Sequence, residues 1–123
     1  MEYTEMYRKL NFEPAFIVFV KKNGDIRVMW ATRDVSACSL WYGYLGNELQ
    51  QHDNRCNINT GAIAVIDMEI GEVRAFRPDS VLYAQFIGQI HTKEQLENVA
   101  STFMAFKRSY QEANPNEVTF EML

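Results

Sequence analysis

The segment Lys22–Asp25, with the sequence Lys-Asn-Gly-Asp, limits what this chain can fold into more than any other feature. A run of β-branched and aromatic residues, Phe16–Val20, comes before it, and a strand-like segment, Ile26–Arg33, follows it. Asn-Gly between two strand patterns is a strong signal for a hairpin, because both residues tolerate the positive φ of a tight reversal. The sequence therefore predicts an antiparallel hairpin over residues 15–33.

Both faces of this hairpin are expected to be covered by other parts of the chain. The first strand is apolar at every position, which is typical of a strand that is buried on two sides. In the second strand, Trp30 shares a face with Val28, and we place Trp30 inward. The opposite face of that strand carries Arg27 and Arg33.

Three more strands are predicted between positions 61 and 90. They are Ala62–Met68, Val73–Arg77 and Val81–Ile87, and a turn that contains Gly71 separates the first two of them. Five short strands joined by tight turns predict a small barrel or a curved, rolled antiparallel sheet.

A helix is predicted on each side of the strand-forming region. Within residues 1–11, apolar and aromatic residues recur at spacings of three, four and seven, as on one face of a short amphipathic helix. The second helix, residues 92–114, begins at Thr92, whose side chain can form a capping box with Gln95. Its apolar seam consists of Leu96, Val99, Phe103, Phe106 and Tyr110.

This seam must be buried, and the sequence leaves two alternatives for what covers it. The helix packs on the sheet of its own chain, or it packs on a partner helix and makes a homodimer through residues 92–114. The tail, residues 116–123, either adds an edge strand through Val118–Phe120 or frays.

Residues 34–60 form an insertion between the second and third predicted strands. Connections of this length are uncommon within a small domain unless they carry function. We expect a short helix between Leu40 and Gln51, followed by an exposed loop.

Size and composition restrict the class of protein. A chain of 123 residues is expected to form a single domain over residues 1–123. The net charge of −4 lowers the expectation of non-specific binding to nucleic acid. No apolar run approaches the roughly 20 residues that cross a bilayer, so no membrane association is expected. Because the chain has only two cysteines and its first residues do not resemble a secretory signal, we expect a cytoplasmic protein.

Two segments, residues 19–29 and 63–81, resemble the small bacteriophage proteins of a WYL-like family with an Sm-like, SH3-like β-barrel. Those proteins combine a Lys-Lys-Asn/Asp-Gly hairpin with a later segment in which Val-x-Asp-x-Glu-x-Gly precedes Arg-x-Phe-Arg-x-Asp. This chain has the same residue types from Lys21 to Gly24 and from Val65 to Asp79. The insertion and the terminal helix have no counterpart that we can match.

The resemblance implies an α+β fold with an SH3-like (Sm-like) barrel of about five strands, in a phage-encoded protein that works in the bacterial cytoplasm. Larger relatives with this barrel sense ligands, often nucleotides or nucleic acid, in regulators of transcription and defence. Because a fold does not determine a function, the resemblance gives a context and not an activity.

No combination of residues is typical of an active site or a metal site. Cys38, His52, Asp53 and Cys56 could supply zinc ligands, but they lack paired spacings such as Cys-x-x-Cys. Nothing in the sequence places His52 or His91 beside a cysteine as the base that a nucleophile needs. We therefore expect no catalytic residues, no metal and no cofactor.

Three carboxylates, Asp67, Glu69 and Glu72, cluster around the second predicted hairpin. Paired carboxylates can perform acid–base catalysis, but a hairpin tip is also where solvated charges are common. An enzyme that uses these carboxylates, or Cys56 with His52, is the least favoured of three functional hypotheses.

The second functional hypothesis depends on basic residues of the first hairpin. They are Lys21, Lys22, Arg27 and Arg33. Arginine forks bind phosphate through two hydrogen bonds, and a nearby aromatic ring could stack on a base. A nucleic-acid- or nucleotide-binding surface is therefore the alternative function. The other interpretation is a set of solvated strand charges, some of them paired with nearby carboxylates.

The favoured hypothesis depends on the aromatic segment Leu40–Leu45 in the insertion. Its large side chains form either a lid on the core or a contact surface, and Trp and Tyr are favoured at protein interfaces. The predicted partner-binding residues are Trp41, Tyr42, Tyr44 and Leu45. We therefore expect a non-enzymatic binding or regulatory protein that acts by binding another protein, and the resemblance to the phage family implies that this partner is a host or phage protein.

Overall fold

The computed structural model describes residues 2–42 and 56–114. These residues form an α+β arrangement of a five-stranded antiparallel sheet with helices on both of its faces. The elements in chain order are α1 (Tyr3–Leu10), β1 (Ala15–Val20), β2 (Ile26–Thr32), α2 (Val35–Tyr42), β3 (Ile63–Asp67), β4 (Glu72–Phe76), a 3-10 turn (Pro78–Ser80), β5 (Val81–Phe86) and α3 (Lys93–Ala113).

The first hairpin is confirmed. Strands β1 and β2 pair antiparallel from Ala15 opposite Ala31 to Val20 opposite Ile26. Gly24 has a φ of 90°, the positive value that the tight reversal needs. The backbone N–H of Lys21 donates to the carbonyl oxygen of Asp25 at 2.7 Å and closes the loop.

The strand order is β4-β3-β2-β1-β5, so β4 and β5 form the two edges of the sheet. In a flat sheet these edges would lie about 19 Å apart, since neighbouring strands are about 4.8 Å apart. Only Arg77–Ser80 connects β4 to β5, and three of those four residues form a 3-10 turn. Five Cα–Cα steps span at most about 18 Å even when fully extended. The sheet must therefore curl, as the sequence predicts, but it stays open and does not close into a barrel.

The sheet has two buried faces, as predicted for the first hairpin. We call the side covered by α1 the inner face, where Met6 and Leu10 of the helix pack on the strands. The strand residues of the inner face are Ala15, Ile17, Phe19, Met29, Ala31, Ile63, Val65 and Phe76. We call the other side the outer face, where residues of α2 and α3 pack on Phe16, Val18, Val28, Trp30 and Ile66.

Helix α3 packs on the sheet of its own chain, which settles one of the alternatives left by the sequence. Thr92 and Gln95 form the predicted capping box. The ring of Phe16 lies 5.3 Å, centroid to centroid, from the rings of both Phe103 and Phe106. The apolar seam that was considered as a homodimer contact thus packs on the sheet within one chain, and Trp30 is buried beneath it.

The structure contains a helix start that was not predicted. Helix α2 runs from Val35 to Tyr42, whereas the helix expected between Leu40 and Gln51 lies outside the described residues from position 43 onward. Asp34 explains this start, because its carboxylate accepts from the backbone N–H of Ser36 at 3.0 Å and its carbonyl from that of Cys38 at 3.1 Å. The exposed loop expected after the helix and the edge strand expected in the tail lie outside the described residues.

Candidate functional site

The predicted partner-binding segment is only partly within the described residues, and its first half packs on the core. The Trp41 ring lies 6.3 Å from the Trp30 ring, and the Tyr42 hydroxyl donates to the carbonyl oxygen of Met68. The two side chains are half-buried, and burial raises the pKa of Tyr42. Trp41 and Tyr42 therefore act as a lid on the outer face, while Tyr44 and Leu45 lie outside the described residues.

The four predicted nucleic-acid-binding residues do not form one surface. Lys21 and Lys22 belong to the β1–β2 turn, and Arg27 lies beside them at the start of β2. Arg33 follows the far end of that strand, six residues and about 20 Å from Arg27 at the usual rise of a strand. A single phosphate cannot contact both arginines of this set.

Arg33 is buried at the α1 end of the inner face, with only 7% of its surface exposed. Its Nε donates to Asn11 at 3.1 Å, and its Nη1 donates to the carbonyl oxygen of Ala64. Its guanidinium carbon also lies 4.5 Å from the centre of the Tyr7 ring, which is a cation–π contact. Arg33 thus ties α1 to β3, which is a structural role that the sequence reasoning did not predict.

The two cysteines have different environments, and Arg33 contacts one of them. Cys38 is fully buried in α2, and burial raises the pKa of its thiol to about 12, so it stays protonated. The sulfur of Cys56 accepts from Arg33 Nη1 and from the backbone N–H of Ala64, each at 3.1 Å. Cys56 borders a shallow cavity of about 260 Å³ that Tyr3, Thr4 and Tyr7 also line. The Cys56 side of this cavity is therefore part of the same contact between α1 and β3 that Arg33 makes.

Asp67 is a second ionisable side chain that is buried near the inner face, with 5% of its surface exposed. Burial raises its pKa to about 6, while a hydrogen bond from the backbone N–H of Glu69 and the charges of Arg74 and Arg27 act in the lowering direction. The distance from that N–H nitrogen to the Asp67 carboxylate is 3.0 Å. The carboxylate therefore braces the β3–β4 turn.

The other two carboxylates of the β3–β4 hairpin are in ion pairs. Lys107 Nζ of α3 donates to Glu69 Oε1 at 2.8 Å, and Glu72 lies 3.4 Å from Arg74 of the same strand. The three carboxylates named as possible acid–base residues thus stabilise the β3–β4 hairpin and its contact with α3. Among residues 2–42 and 56–114, no three His, Cys, Asp or Glu side chains are grouped so that they could hold a metal ion.

The two edges of the sheet differ in chemistry, and sequence reasoning did not single out this difference. Edge strand β4 carries the charges of Glu72 and Arg74. Edge strand β5 has the sequence Val-Leu-Tyr-Ala-Gln-Phe, without a charged residue or a proline. Natural sheets usually protect their edges with charges, prolines or covering segments, because an apolar edge pairs readily with other chains. In the described part of the chain, β5 pairs with β1 along one edge, and no strand pairs with its other edge.

Two large apolar side chains of β5 face the solvent. Leu82 is 54% exposed, at a point where the β1–β5 register shifts between Val18 and Phe19. Tyr83 is 43% exposed and stacks on Phe106 of α3 at 5.6 Å between ring centroids. The exposure of Leu82 and Tyr83 on an edge strand could have been found from the sequence only by knowing which strands are the edges.

No family model, curated protein or solved structure matches the chain. The resemblance to the WYL-like phage family therefore stays a prediction from the two segments that carry it. No helix within the described ranges has both the length and the apolar character needed to span a membrane.

Proposed function

We propose that this protein is a non-enzymatic binding module that regulates another protein by docking on it through the edge of β5. The observation that carries the proposal is the exposure of Leu82 and Tyr83 on an uncharged edge strand. Tyr is favoured at protein interfaces, and an exposed apolar edge is a common contact between chains. The phage origin implied by the sequence resemblance makes a host or phage protein the partner.

The reactive side chains of the described residues support a binding role. Arg33 and Cys56 are joined in a structural contact, and Asp67 and Glu69 brace a turn and a helix contact. The predicted binding residues Trp41 and Tyr42 pack against the core of their own chain on the outer face. The contact surface is therefore proposed on β5 and not on α2.

The test is capture of a partner from a host bacterial lysate, followed by its identification by mass spectrometry and measurement of its affinity with purified proteins. Leu82→Lys places a charge in the proposed contact and should weaken binding by at least about tenfold. Ile58→Lys makes the same change at another exposed apolar residue, remote in sequence from β5, and should leave binding unchanged. Equal affinity of the Leu82→Lys variant and the wild type would refute the proposed surface.

Binding of nucleic acid or a nucleotide is the competing proposal, and Lys21, Lys22 and Arg27 are the residues that would support it. Neutralisation of phosphates makes such binding fall steeply with added salt. Titration of a single-stranded oligonucleotide at low and high salt, with Lys22→Glu as the variant, separates the two proposals. No binding at low salt would remove this alternative.

A further inference from the structure

The backbone of β5 shows which of its polar groups are available to a partner. The N–H of Ile87 donates to the carbonyl oxygen of Pro14, so this pair is hydrogen-bonded. Hydrogen-bonded and non-hydrogen-bonded pairs alternate along an antiparallel ladder. Gln85 and Tyr83 therefore direct their N–H and C=O groups to β1, and Ala84 and Phe86 direct theirs away from it.

We infer that β5 receives an extended segment of the partner protein as a sixth strand, which hydrogen-bonds to the outward backbone groups of Ala84 and Phe86. This inference rests on the proposed function and specifies how the partner binds. Strand addition of this kind takes its affinity from main-chain hydrogen bonds and its specificity from side chains on alternate positions. On β5, Tyr83 and Gln85 pair with Val18 and Phe16 of β1 and therefore lie toward the outer face. The Tyr83 hydroxyl donates to Gln85 Oε1 at 3.2 Å.

The charges around β5 define the chemistry of the added segment. The strand itself is uncharged, so the centre of the segment must be uncharged to avoid burying an unpaired charge. At the Phe86 end of the strand, the ammonium of Lys9 lies 4.7 Å from the centre of the Phe86 ring. The partner segment should therefore carry an acidic residue at the end that lies next to Phe86.

A proline substitution tests the backbone bond without changing the exposed side chains. Ala84→Pro removes an outward N–H, and proline is tolerated on an edge strand where that group faces solvent. This variant should fold with an unfolding midpoint close to that of the wild type and bind the identified partner about tenfold more weakly, as the loss of one hydrogen bond predicts. Gln85→Pro removes an N–H bonded to β1 and serves as the matched control that lowers stability.

Amide hydrogen exchange on the full chain supplies a second measurement that does not depend on any variant. The amides of Ala84 and Phe86 should exchange rapidly in the free protein and slowly in the complex, whereas those of Tyr83 and Gln85 should be protected in both. Protection of Ala84 and Phe86 in the free monomer would mean that another segment of this chain occupies the edge. Protection that appears only with dimerisation of the free protein would place a second copy there. Either result overturns the inference.

The two proposals fail in different ways. A partner whose binding is lost in Leu82→Lys but unchanged in Ala84→Pro would keep the docking surface and refute strand addition. Binding that is insensitive to Leu82→Lys would refute the docking surface itself, whatever Ala84→Pro does.

Discussion

Arg33 and Asp67 are both buried beside the inner face of the sheet, but their surroundings differ. Arg33 donates to acceptors on α1 and β3 and stacks on Tyr7, so its donors are matched with acceptors in the fold. Asp67 accepts from the backbone N–H of Glu69, and burial still raises its pKa to about 6. The comparison teaches that burial alone does not decide whether a charge stabilises a fold. The number and placement of its hydrogen-bond partners do.

The largest change in the free energy of unfolding is expected for a substitution of Arg33. Arg33→Met keeps most of the aliphatic volume but leaves the acceptors on Asn11 and Ala64 without their donor. We expect the free energy of unfolding to fall by about 3 kcal/mol, since buried unsatisfied acceptors are costly. Urea denaturation measures the change, and Arg33→Lys should recover only part of it because an ammonium lacks the planar fork. A loss below about 0.5 kcal/mol would show that the contacts of Arg33 are dispensable.

A change of opposite sign is expected at Asp67. Its pKa is raised in the folded state, so its contribution to stability is fully present below the unfolded pKa of about 4 and is lost as the pH rises through about 6. Asp67→Asn removes this loss and keeps an oxygen that can accept from Glu69. At pH 8 the variant should be more stable than the wild type by up to roughly 3 kcal/mol.

Urea denaturation from pH 4 to pH 8 tests the Asp67 prediction. The stability difference between Asp67→Asn and the wild type should be smallest at or below pH 4, grow as the pH rises from about 4 to about 6, and level off above that. A difference that does not depend on pH would mean that the carboxylate does not titrate in this range.

A smaller effect is expected at Gly71, in the turn that Asp67 braces. Gly71 has a φ of 72°, and a Cβ at this position would lie 3.0 Å from Cε1 of Tyr42. Gly71→Ala should cost about 2 kcal/mol, from the left-handed backbone and the displaced ring. Gly24→Ala is the matched control, since Gly24 also has a positive φ but a Cβ there would meet no atom within 4 Å. If urea denaturation gives equal losses for the two variants, Tyr42 does not hold the hairpin.

Much of the fold could be predicted from local patterns. The Asn-Gly turn, the capping box of Thr92 and the short apolar runs each depend on a few neighbouring residues, and the structure confirms them. The helix start at Val35 was not predicted, although Asp34, a residue type that commonly caps helices, precedes it. The candidate site could not be predicted in the same way, because an edge is a property of strand order. Residues Val81–Phe86 have an ordinary strand sequence, and only their position beside β1 exposes one side of the backbone.

By itself, the sequence determined the elements: one short helix, five strands with tight turns and one long helix with an apolar seam. It determined them because turn, cap and periodicity signals act over a few residues. The tertiary structure alone decided that Arg33 ties α1 to β3, that Trp41 and Tyr42 close the outer face, and that β5 lies at an edge. Each of these depends on which distant segments come together, and that is fixed by packing of the whole sheet against its helices.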